Sequence, residues 1–213
     1  MVRFITFEGG DGTGKTTQVQ AVEKYLRGLG RPCVVTREPG GTALGKMIRK
    51  VLLETEGNEI GASTELFLYL ADRSQHVKQI IAPALSAGNF VLCDRFTDST
   101  LAYQGYARGI DLDWLRRLND TASGGLRPQL TFLFDCPVDV GLGRASRRRE
   151  QAAADRPQED RFEREKHEFH ERVRSGFLEL ARREPERFHI IDAARCIAAV
   201  ARQIREIIDR ELV

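Results

Sequence analysis

Apolar residues along the chain follow two spacings, and together these predict alternating strands and helices. Five short runs are apolar at most of their positions, which is typical of parallel strands covered on both faces. These runs lie at residues 2–7, 33–36, 90–94, 130–135 and 189–192. Between them, apolar residues recur three or four positions apart, as Val19, Val22 and Leu26 do, which indicates amphipathic helices. The alternation predicts a doubly wound α/β fold, with a five-stranded parallel sheet flanked by helices.

The helical pattern occurs in several segments between and after the strands. The first predicted helix begins near Lys15 and ends at Gly30, and the next two cover residues 40–54 and 63–87. A fourth begins at Asp111, and the last two cover residues 162–180 and 197–212. Pro83 predicts a kink in the third of these helices, and Gly88 its end. Asp111 has the side chain of a good N-cap for the fourth.

Residues 147–161 break the pattern, because they contain almost no large apolar side chain and include Pro157. Taken alone, this segment is interpreted as a solvated surface loop. Neither an internal repeat nor a flexible linker occurs elsewhere in the sequence. We therefore expect one domain over residues 1–213, with a polar insertion at about 147–161.

The composition is that of an ordinary globular protein. Of the 213 residues, 41% are hydrophobic and 30% are charged, and the formal net charge is +2. A charge so close to neutral gives no general attraction for nucleic acids or membrane surfaces. No apolar run approaches the roughly 18 residues of a membrane-spanning helix, and the N-terminus shows no signal-peptide pattern. We expect a cytoplasmic protein without a nucleic-acid or membrane partner.

Cysteine and histidine spacings do not indicate a metal site. The four cysteines, Cys33, Cys93, Cys136 and Cys196, show no C-x-x-C spacing, so neither a disulfide nor a zinc site is predicted. His167 and His170 lie three positions apart beside glutamates, which allows a metal clip as one interpretation. Solvated side chains on a charged helix are the favoured interpretation, because no other His or Cys cluster supports a metal.

A candidate phosphate-binding loop occupies residues 9–16, Gly-Gly-Asp-Gly-Thr-Gly-Lys-Thr, which match G-x-x-x-x-G-K-[ST]. Its glycines allow backbone N–H groups to turn inward onto phosphate oxygens. Lys15 can reach the β- and γ-phosphates, and Thr16 offers a hydroxyl to Mg²⁺. A glycine turn without a ligand is the alternative. The strand-like run before the loop and the helical pattern after it favour a nucleotide site, with the helix N-terminus facing the anion.

The third strand run ends in Asp94 and Arg95, which we interpret as further parts of that site. Asp94 can contribute to a magnesium shell near Thr16, and Arg95 is a bidentate phosphate donor. A surface ion pair is the alternative. Asp135 and Asp192 also end strand runs, so position alone does not single out Asp94.

Five ordered blocks of sequence resemble a known family. They are FEGGDGTGKTT at residues 7–17, TREPGGT at 36–42, ADR at 71–73, DRF at 94–96 and STLAYQG at 99–105. The series is similar to bacterial thymidylate kinase, strongly so up to about residue 109.

The resemblance implies the P-loop NTPase fold of nucleoside monophosphate kinases and a homodimer. It also implies transfer of the ATP γ-phosphoryl group to dTMP with Mg²⁺, giving dTDP and ADP. A kinase for another pyrimidine nucleotide or nucleoside is one alternative, and a P-loop switch that binds nucleotide without transfer is another.

The resemblance also implies roles for individual residues. The ATP-binding set is Gly9, Gly10, Asp11, Gly12, Thr13, Gly14, Lys15, Thr16, Thr17 and Arg144. The acceptor-binding set is Glu8, Arg37, Pro39, Tyr69, Arg73, Arg95, Ser99, Thr100, Tyr103 and Gln104. Thr16 and Asp94 would hold the metal, and Lys15, Arg95 and Asp11 would act in catalysis.

Several of these residues have plainer interpretations. Tyr69 lies where the family has a phenylalanine that stacks on thymine, and Tyr103 where it has a ring that excludes a ribose 2′-hydroxyl, yet both could be core residues. Arg37 could be a surface arginine, and Asp11 a turn-former.

The insertion at 147–161 gains a role from the same comparison. Gly12 lies where the eukaryotic-like branch carries an arginine, which implies that a lid supplies that charge here. The candidate lid arginines are Arg147, Arg148, Arg149, Arg156 and Arg161. Of these, Arg148 and Arg161 align best with the family, and which of them reaches the transferred group is left open.

Overall fold

The structure, a computed structural model, describes residues 3–54, 60–151, 161–162 and 164–212, with the backbone alone described for Glu54 and Arg149. Within these ranges the strands are β1 (Phe4–Gly9), β2 (Cys33–Arg37), β3 (Phe90–Asp94), β4 (Leu130–Asp135) and β5 (Phe188–Asp192). They form one parallel sheet in the order β2-β3-β1-β4-β5. The predicted five-stranded parallel sheet is therefore confirmed. Its apolar runs are buried because helices cover both faces.

The helices connect the strands in sequence order. They are α1 (Lys15–Gly28), α2 (Ala43–Glu54), α3 (Ala62–His76), α4 (Ala82–Ser86), α5 (Thr97–Thr100), α6 (Leu112–Ser123), α7 (Val138–Glu150), α8 (His167–Arg183) and α9 (Ile197–Glu211), with π-helical turns at Val77–Ile81 and Leu101–Ala107. Among the described residues, none of these helices is long and apolar enough to cross a membrane.

The core is divided by the sheet. One cluster packs β1, β4 and β5 against α1 and α9, through side chains such as Phe132, Leu26 and Ile204. A second cluster packs α3 and the π-helical turn Leu101–Ala107 against α8, with Leu66 and Phe177 near its centre. The two clusters fix the helices whose ends surround the carboxyl edge of the sheet.

Three predictions about the helices are corrected by the structure. The long helix predicted at 63–87 is irregular over Val77–Ile81, just before Pro83, so the expected distortion takes the form of a π-helical turn. Residues 147–150, predicted as part of a loop, belong to α7. His170, expected to be solvated, is only 6% exposed because its face of α8 packs inward.

Candidate active site

A cavity of about 560 Å³, a volume that includes space open to solvent, lies at the carboxyl edge of the sheet, beside the phosphate loop. Nine of the predicted acceptor or catalytic residues meet in its wall: Asp11, Pro39, Tyr69, Arg73, Arg95, Ser99, Thr100, Tyr103 and Gln104. These residues come from separate sequence blocks, and parallel strands bring them together because their carboxyl ends share one edge. Five further lining residues were not predicted as site residues: Glu38, Arg49, Leu53, Phe96 and Phe162.

The phosphate loop joins β1 to α1, as predicted. Gly12 and Gly14 both have positive φ angles, of 70° and 87°, which turn the loop toward the N-terminus of α1. Thr16 and Thr17, in the first turn of that helix, have exposed side chains. Backbone N–H groups at such a helix start, together with the helix dipole, form a binding site for phosphate.

Lys15 is folded back over the loop. Its Nζ atom donates to the carbonyl oxygens of Gly9 and Gly10, at 3.0 and 2.6 Å, and to Thr13 Oγ1 at 3.3 Å. Burial, with a further contribution from Arg95, lowers the pKa of Lys15 to about 8. An ammonium group that has lost its water gains strongly from an added anion, so Lys15 is suited to bind phosphate.

Thr16 and Asp94, the predicted metal pair, are in contact. Thr16 Oγ1 donates to Asp94 Oδ2 at 2.9 Å. The two other aspartates that end strands are engaged elsewhere, since Asp135 forms an ion pair with Arg174 and Asp192 accepts from the backbone of Ala194. A hydroxyl and a carboxylate at the end of a phosphate loop form a suitable oxygen donor set for Mg²⁺. Among the described residues, no group of three or more His, Cys, Asp and Glu forms another possible metal site.

Arg95 connects the phosphate loop with the cavity. Its guanidinium donates to Gly9 O at 2.8 Å, to Asp11 Oδ1 at 2.7 Å and to Ser99 Oγ at 3.2 Å, and it lies 5.1 Å from the centre of the Tyr103 ring. The backbone of Arg95 has a φ of 68°, a conformation that non-glycine residues rarely adopt. Strain of this kind is found where a side chain must be aimed at a functional site.

Asp11 is the partner of this arginine within the loop. Its second oxygen accepts from the hydroxyl of Tyr103 at 3.2 Å. Burial acts to raise the pKa of Asp11, but Arg95 and Lys15 outweigh it, so the pKa is lowered. Asp11 is therefore an ionised carboxylate at neutral pH, between two cations and the cavity.

Glu8 lies behind the cavity wall. It is fully buried, and its carboxyl oxygens accept from the backbone N–H of Phe96 at 2.7 Å and from Ser99 Oγ at 2.6 Å. Burial, followed by the charge of Asp98, raises the pKa of Glu8 to about 8. Since Glu8 holds the residue after Arg95, it supports the strained turn from which Arg95 reaches the loop.

Arg73 forms the floor of the acceptor cavity and is almost completely buried. It donates to Glu38 Oε2 at 2.8 Å, to Thr100 Oγ1 at 2.9 Å and to Asn119 Oδ1 at 2.5 Å. His76, one turn further along α3, contacts the other oxygen of Glu38 at 2.9 Å.

Sequence reasoning missed Glu38 and His76 as parts of the site. The signal was present, because Glu38 lies inside a matching block and His76 follows Arg73 by three positions, on the same face of a helix.

Aromatic side chains form the remaining wall. The ring of Phe162 lies 6.4 Å from that of Tyr69 and 5.4 Å from that of Tyr103. Phe162 was predicted only as an apolar helix position. Its role in the cavity depends on the path of the chain after the insertion, which spacing alone does not reveal.

Arg37 and Pro39, two residues predicted on the acceptor side, differ in placement. Arg37 ends β2 opposite Asp94 in the sheet, and its side chain is exposed. Pro39 lies in the cavity wall, after a cis Glu38–Pro39 peptide bond, and its carbonyl accepts from Arg49 at 3.0 Å.

The arginines around the insertion fall into three environments. Arg144 donates to the carbonyl oxygens of Ala193 and Ala194, at 2.6 and 3.2 Å, which places it beside the loop after β5. Arg147 and Arg148 are exposed on the last turns of α7. Arg161 is held inside the protein, where it donates to Leu52 O at 3.1 Å and pairs with Glu65. Arg156 lies outside the described residues.

Comparison with known proteins supports the family resemblance. A family model described as Thymidylate kinase matches residues 7–204. A thymidylate kinase of Desulfovibrio desulfuricans is 52% identical over 209 residues, covering 98% of this chain and 96% of the relative. One from Geobacter sulfurreducens is 52% identical over 205 residues, covering 96% and 95%. The crystal structure of thymidylate kinase from Ehrlichia chaffeensis is similar with a TM-score of 0.76 and 35% identity, covering 98% of both chains.

Proposed function

This chain belongs to the thymidylate kinase family and phosphorylates dTMP with ATP, and we propose that the two nucleotides meet at Arg95. The reaction transfers the γ-phosphoryl group of ATP to the 5′-phosphate of dTMP. An oxygen of the dTMP phosphate forms the new bond to the γ-phosphorus, and the bond from that phosphorus to the bridging oxygen of ADP breaks. The products are dTDP and ADP.

The position of Arg95 is the observation that carries the proposed geometry. One guanidinium contacts both the phosphate loop, through Gly9 and Asp11, and the acceptor cavity, through Ser99. Two anionic substrates brought together there repel each other, and a shared cation between them reduces that repulsion. Phosphoryl transfer depends mainly on such positioning and charge neutralisation.

On the donor side, we propose that the loop at residues 9–16 binds the ATP phosphates and that Lys15 contacts the β- and γ-phosphates. Arg144 would contact the adenine from its position beside Ala193 and Ala194. Thr16 and Asp94 would hold Mg²⁺, which supplies charge neutralisation on the phosphate oxygens when it is bound.

On the acceptor side, the ring of Tyr69 would stack on the base, while Arg73 and Gln104 would contact its polar edge. Tyr103 lies against Arg95 and Asp11, close to where the sugar and the phosphate would join. A bulky ring at that place would crowd a 2′-hydroxyl, which favours deoxyribose. Arg37 would approach the acceptor phosphate from the end of β2.

The lid charge, in this proposal, comes from the end of α7. Arg148 is exposed on its last turn, whereas the charge of Arg161 is neutralised by Glu65. We therefore assign Arg148 to the transferred phosphoryl group and give Arg161 an anchoring role. The whole chain would act as one domain, with a lid at about 147–161 that closes over the nucleotides and excludes water.

We also propose a homodimer formed through α2 and α3, which pack together. Leu44, Met47 and Val51 share one face of α2 and, with Phe67 of α3, are between 43% and 61% exposed. An apolar stripe of this kind on two adjoining helices is suited to an isologous contact with a second copy.

Light scattering tests this interface. Wild-type protein should have the mass of a dimer and Met47→Glu the mass of a monomer, while Leu29→Glu at the end of α1 should not change the mass. A monomeric wild type, or a dimeric Met47→Glu, would contradict this interface.

A panel of acceptors tests the activity and its specificity. ATP hydrolysis and nucleoside diphosphate formation are measured with dTMP, dUMP, dCMP, UMP and thymidine at equal concentrations. We expect dTDP formation to be the fastest reaction. A higher kcat/KM for UMP or a nucleoside would overturn the assignment of dTMP, and ATP binding without any dTDP would favour a nucleotide-dependent switch. Because ATP is the phosphoryl donor, we propose that the protein acts in the cytoplasm.

A further inference from the structure

Glu65, in the first turn of α3, is a carboxylate with 0% exposure. A buried carboxylate is stable only where charged or hydrogen-bonding partners replace water. Arg108 and Arg161 both donate to its Oε2 atom, so two guanidinium groups take the place of water on that oxygen. Its other oxygen, Oε1, accepts a hydrogen bond of 2.7 Å from Gln104 Nε2.

The contact with Glu65 determines which way round the amide of Gln104 lies. A carboxylate that is paired with two guanidinium groups acts only as a hydrogen-bond acceptor, so the amide nitrogen of Gln104 faces Glu65. The amide oxygen is consequently turned away from Glu65. Because Gln104 is part of the cavity wall, this orientation offers the bound base a hydrogen-bond acceptor.

An acceptor at this place distinguishes between pyrimidines. Thymine and uracil carry a hydrogen on N3, whereas cytosine has a lone pair there. An amide free to turn over could present N–H instead of the oxygen and serve either type of base. We propose, on the basis of the dTMP kinase activity above, that Glu65 is a specificity-determining positioning residue, which holds the Gln104 amide oxygen toward the N3–H group of a thymine-type base.

The proposal explains why a charged residue is buried beside an apolar part of the core. Leu66 and Leu70 of the same helix belong to the cluster that packs against α8. Replacing a buried ion pair by apolar residues is often neutral for stability, so stability alone does not require Glu65. A fixed orientation of the Gln104 amide does require Glu65. A partner that only accepts hydrogen bonds leaves the amide one way to face, with its nitrogen toward that partner.

The test compares kcat/KM for dTMP and dCMP in wild-type protein and in Glu65→Gln. The variant keeps the size of the side chain but allows the Gln104 amide to face either way. We expect the ratio of dTMP to dCMP to fall by about tenfold or more, mainly through a higher KM for dTMP, since an unmatched polar contact is costly. Glu23→Gln, at an exposed pair with Arg27, is the matched control and should keep the wild-type ratio.

A double-mutant cycle separates positioning from general structural damage. In a Gln104→Met background, Glu65→Gln should reduce the ratio no further, because the amide through which it acts is gone. Should Glu65→Gln not fold, Glu65→Asp keeps the charge for the two arginines but moves the carboxylate away from Gln104, and the same loss is expected. An unchanged ratio in a folded variant, or an additive loss in the cycle, overturns the proposal. A wild-type protein that forms no dTDP would instead overturn the proposed function.

Discussion

Gly12 of the phosphate loop lies directly against Gly141 of α7: a Cβ atom on Gly12 would be 1.9 Å from the carbonyl oxygen of Gly141. The contact is reciprocal, because a Cβ atom on Gly141 would be 2.6 Å from the carbonyl oxygen of Asp11. In this packing no side chain fits at Gly12. An arginine at that loop position is therefore excluded by α7, the same helix whose far end carries Arg148.

Substitution of Gly12 tests this relationship. We expect Gly12→Ala to lower the free energy of unfolding by more than about 2 kcal/mol, from the left-handed backbone and the overlap with α7 together. Gly12→Arg should be inactive although it adds a cation. Thermal melting and dTDP formation measure the two effects. Gly28→Ala, a position with open space around its Cβ, is the control and should be neutral or stabilising by up to about 1 kcal/mol. A stable, active Gly12→Arg protein would show that α7 does not close this position.

The two candidate lid arginines should give different kinetic defects. Arg148→Ala is expected to lower kcat by about a thousandfold with little change in KM, since it removes charge that acts on the transferred group. Arg161→Ala should mainly raise KM for dTMP and lower the melting temperature. The guanidinium of Arg161 lies 4.7 Å from the centre of the Phe162 ring and pairs with Glu65, so the variant loses both contacts. Steady-state kinetics of both variants distinguish the roles, and the reverse pattern would exchange them.

Metal dependence should report on Thr16 and Asp94. Asp94→Asn is expected to raise the Mg²⁺ concentration for half-maximal activity by about 10- to 100-fold, because the oxygen set loses its charge. Chelation of Mg²⁺ should abolish dTDP formation by the wild type. Asp192→Asn, at the end of β5, is the control. An equal rise in the half-maximal Mg²⁺ concentration for both variants would mean that Asp94 does not bind the metal.

Glu8 should make stability depend on pH. Its pKa is raised from 4.5 to about 8 by burial and by Asp98, so between these values the folded protein binds more protons than the unfolded chain. The free energy of unfolding therefore falls as pH rises from 4.5 to 8. Glu8→Gln removes the titrating carboxyl group and with it this loss of stability. We expect the melting temperature of the variant to match that of the wild type near pH 5 and to exceed it near pH 8. Glu23→Gln should show the same difference from wild type at both pH values. A parallel pH profile for Glu8→Gln and wild type would refute the shift.

Much of the fold was predictable from local pattern. The five apolar runs became the five strands, and β1 extends two residues beyond its predicted end because Glu8 and Gly9 continue the ladder with β4. A glutamate followed by a glycine is not a typical strand sequence, so the pattern did not indicate these two positions. Residues 147–150 were misassigned for a related reason, since a helix rich in arginine has no apolar face to reveal it.

The proximity of candidate site residues was predictable where one residue type has one chemical use. Lys15, Thr16 and Asp94 belong to this class, and the structure places the hydroxyl of Thr16 on Asp94. Arg161 shows the limit. Its sequence context gives an arginine near a lid, but whether that charge is free depends on Glu65, which lies far away in the chain. Pairings of this kind are set by tertiary packing and have no local signal.

The position of Arg95 is most directly tested by Arg95→Ala, with phosphoryl transfer from ATP to dTMP and ATP affinity measured on the same protein. Removal of the shared cation should slow transfer by at least about a hundredfold and weaken dTMP binding, while the dissociation constant for ATP stays within a few-fold of the wild-type value. Turnover of dTMP at the wild-type rate by Arg95→Ala would show that the two nucleotides do not meet at this residue.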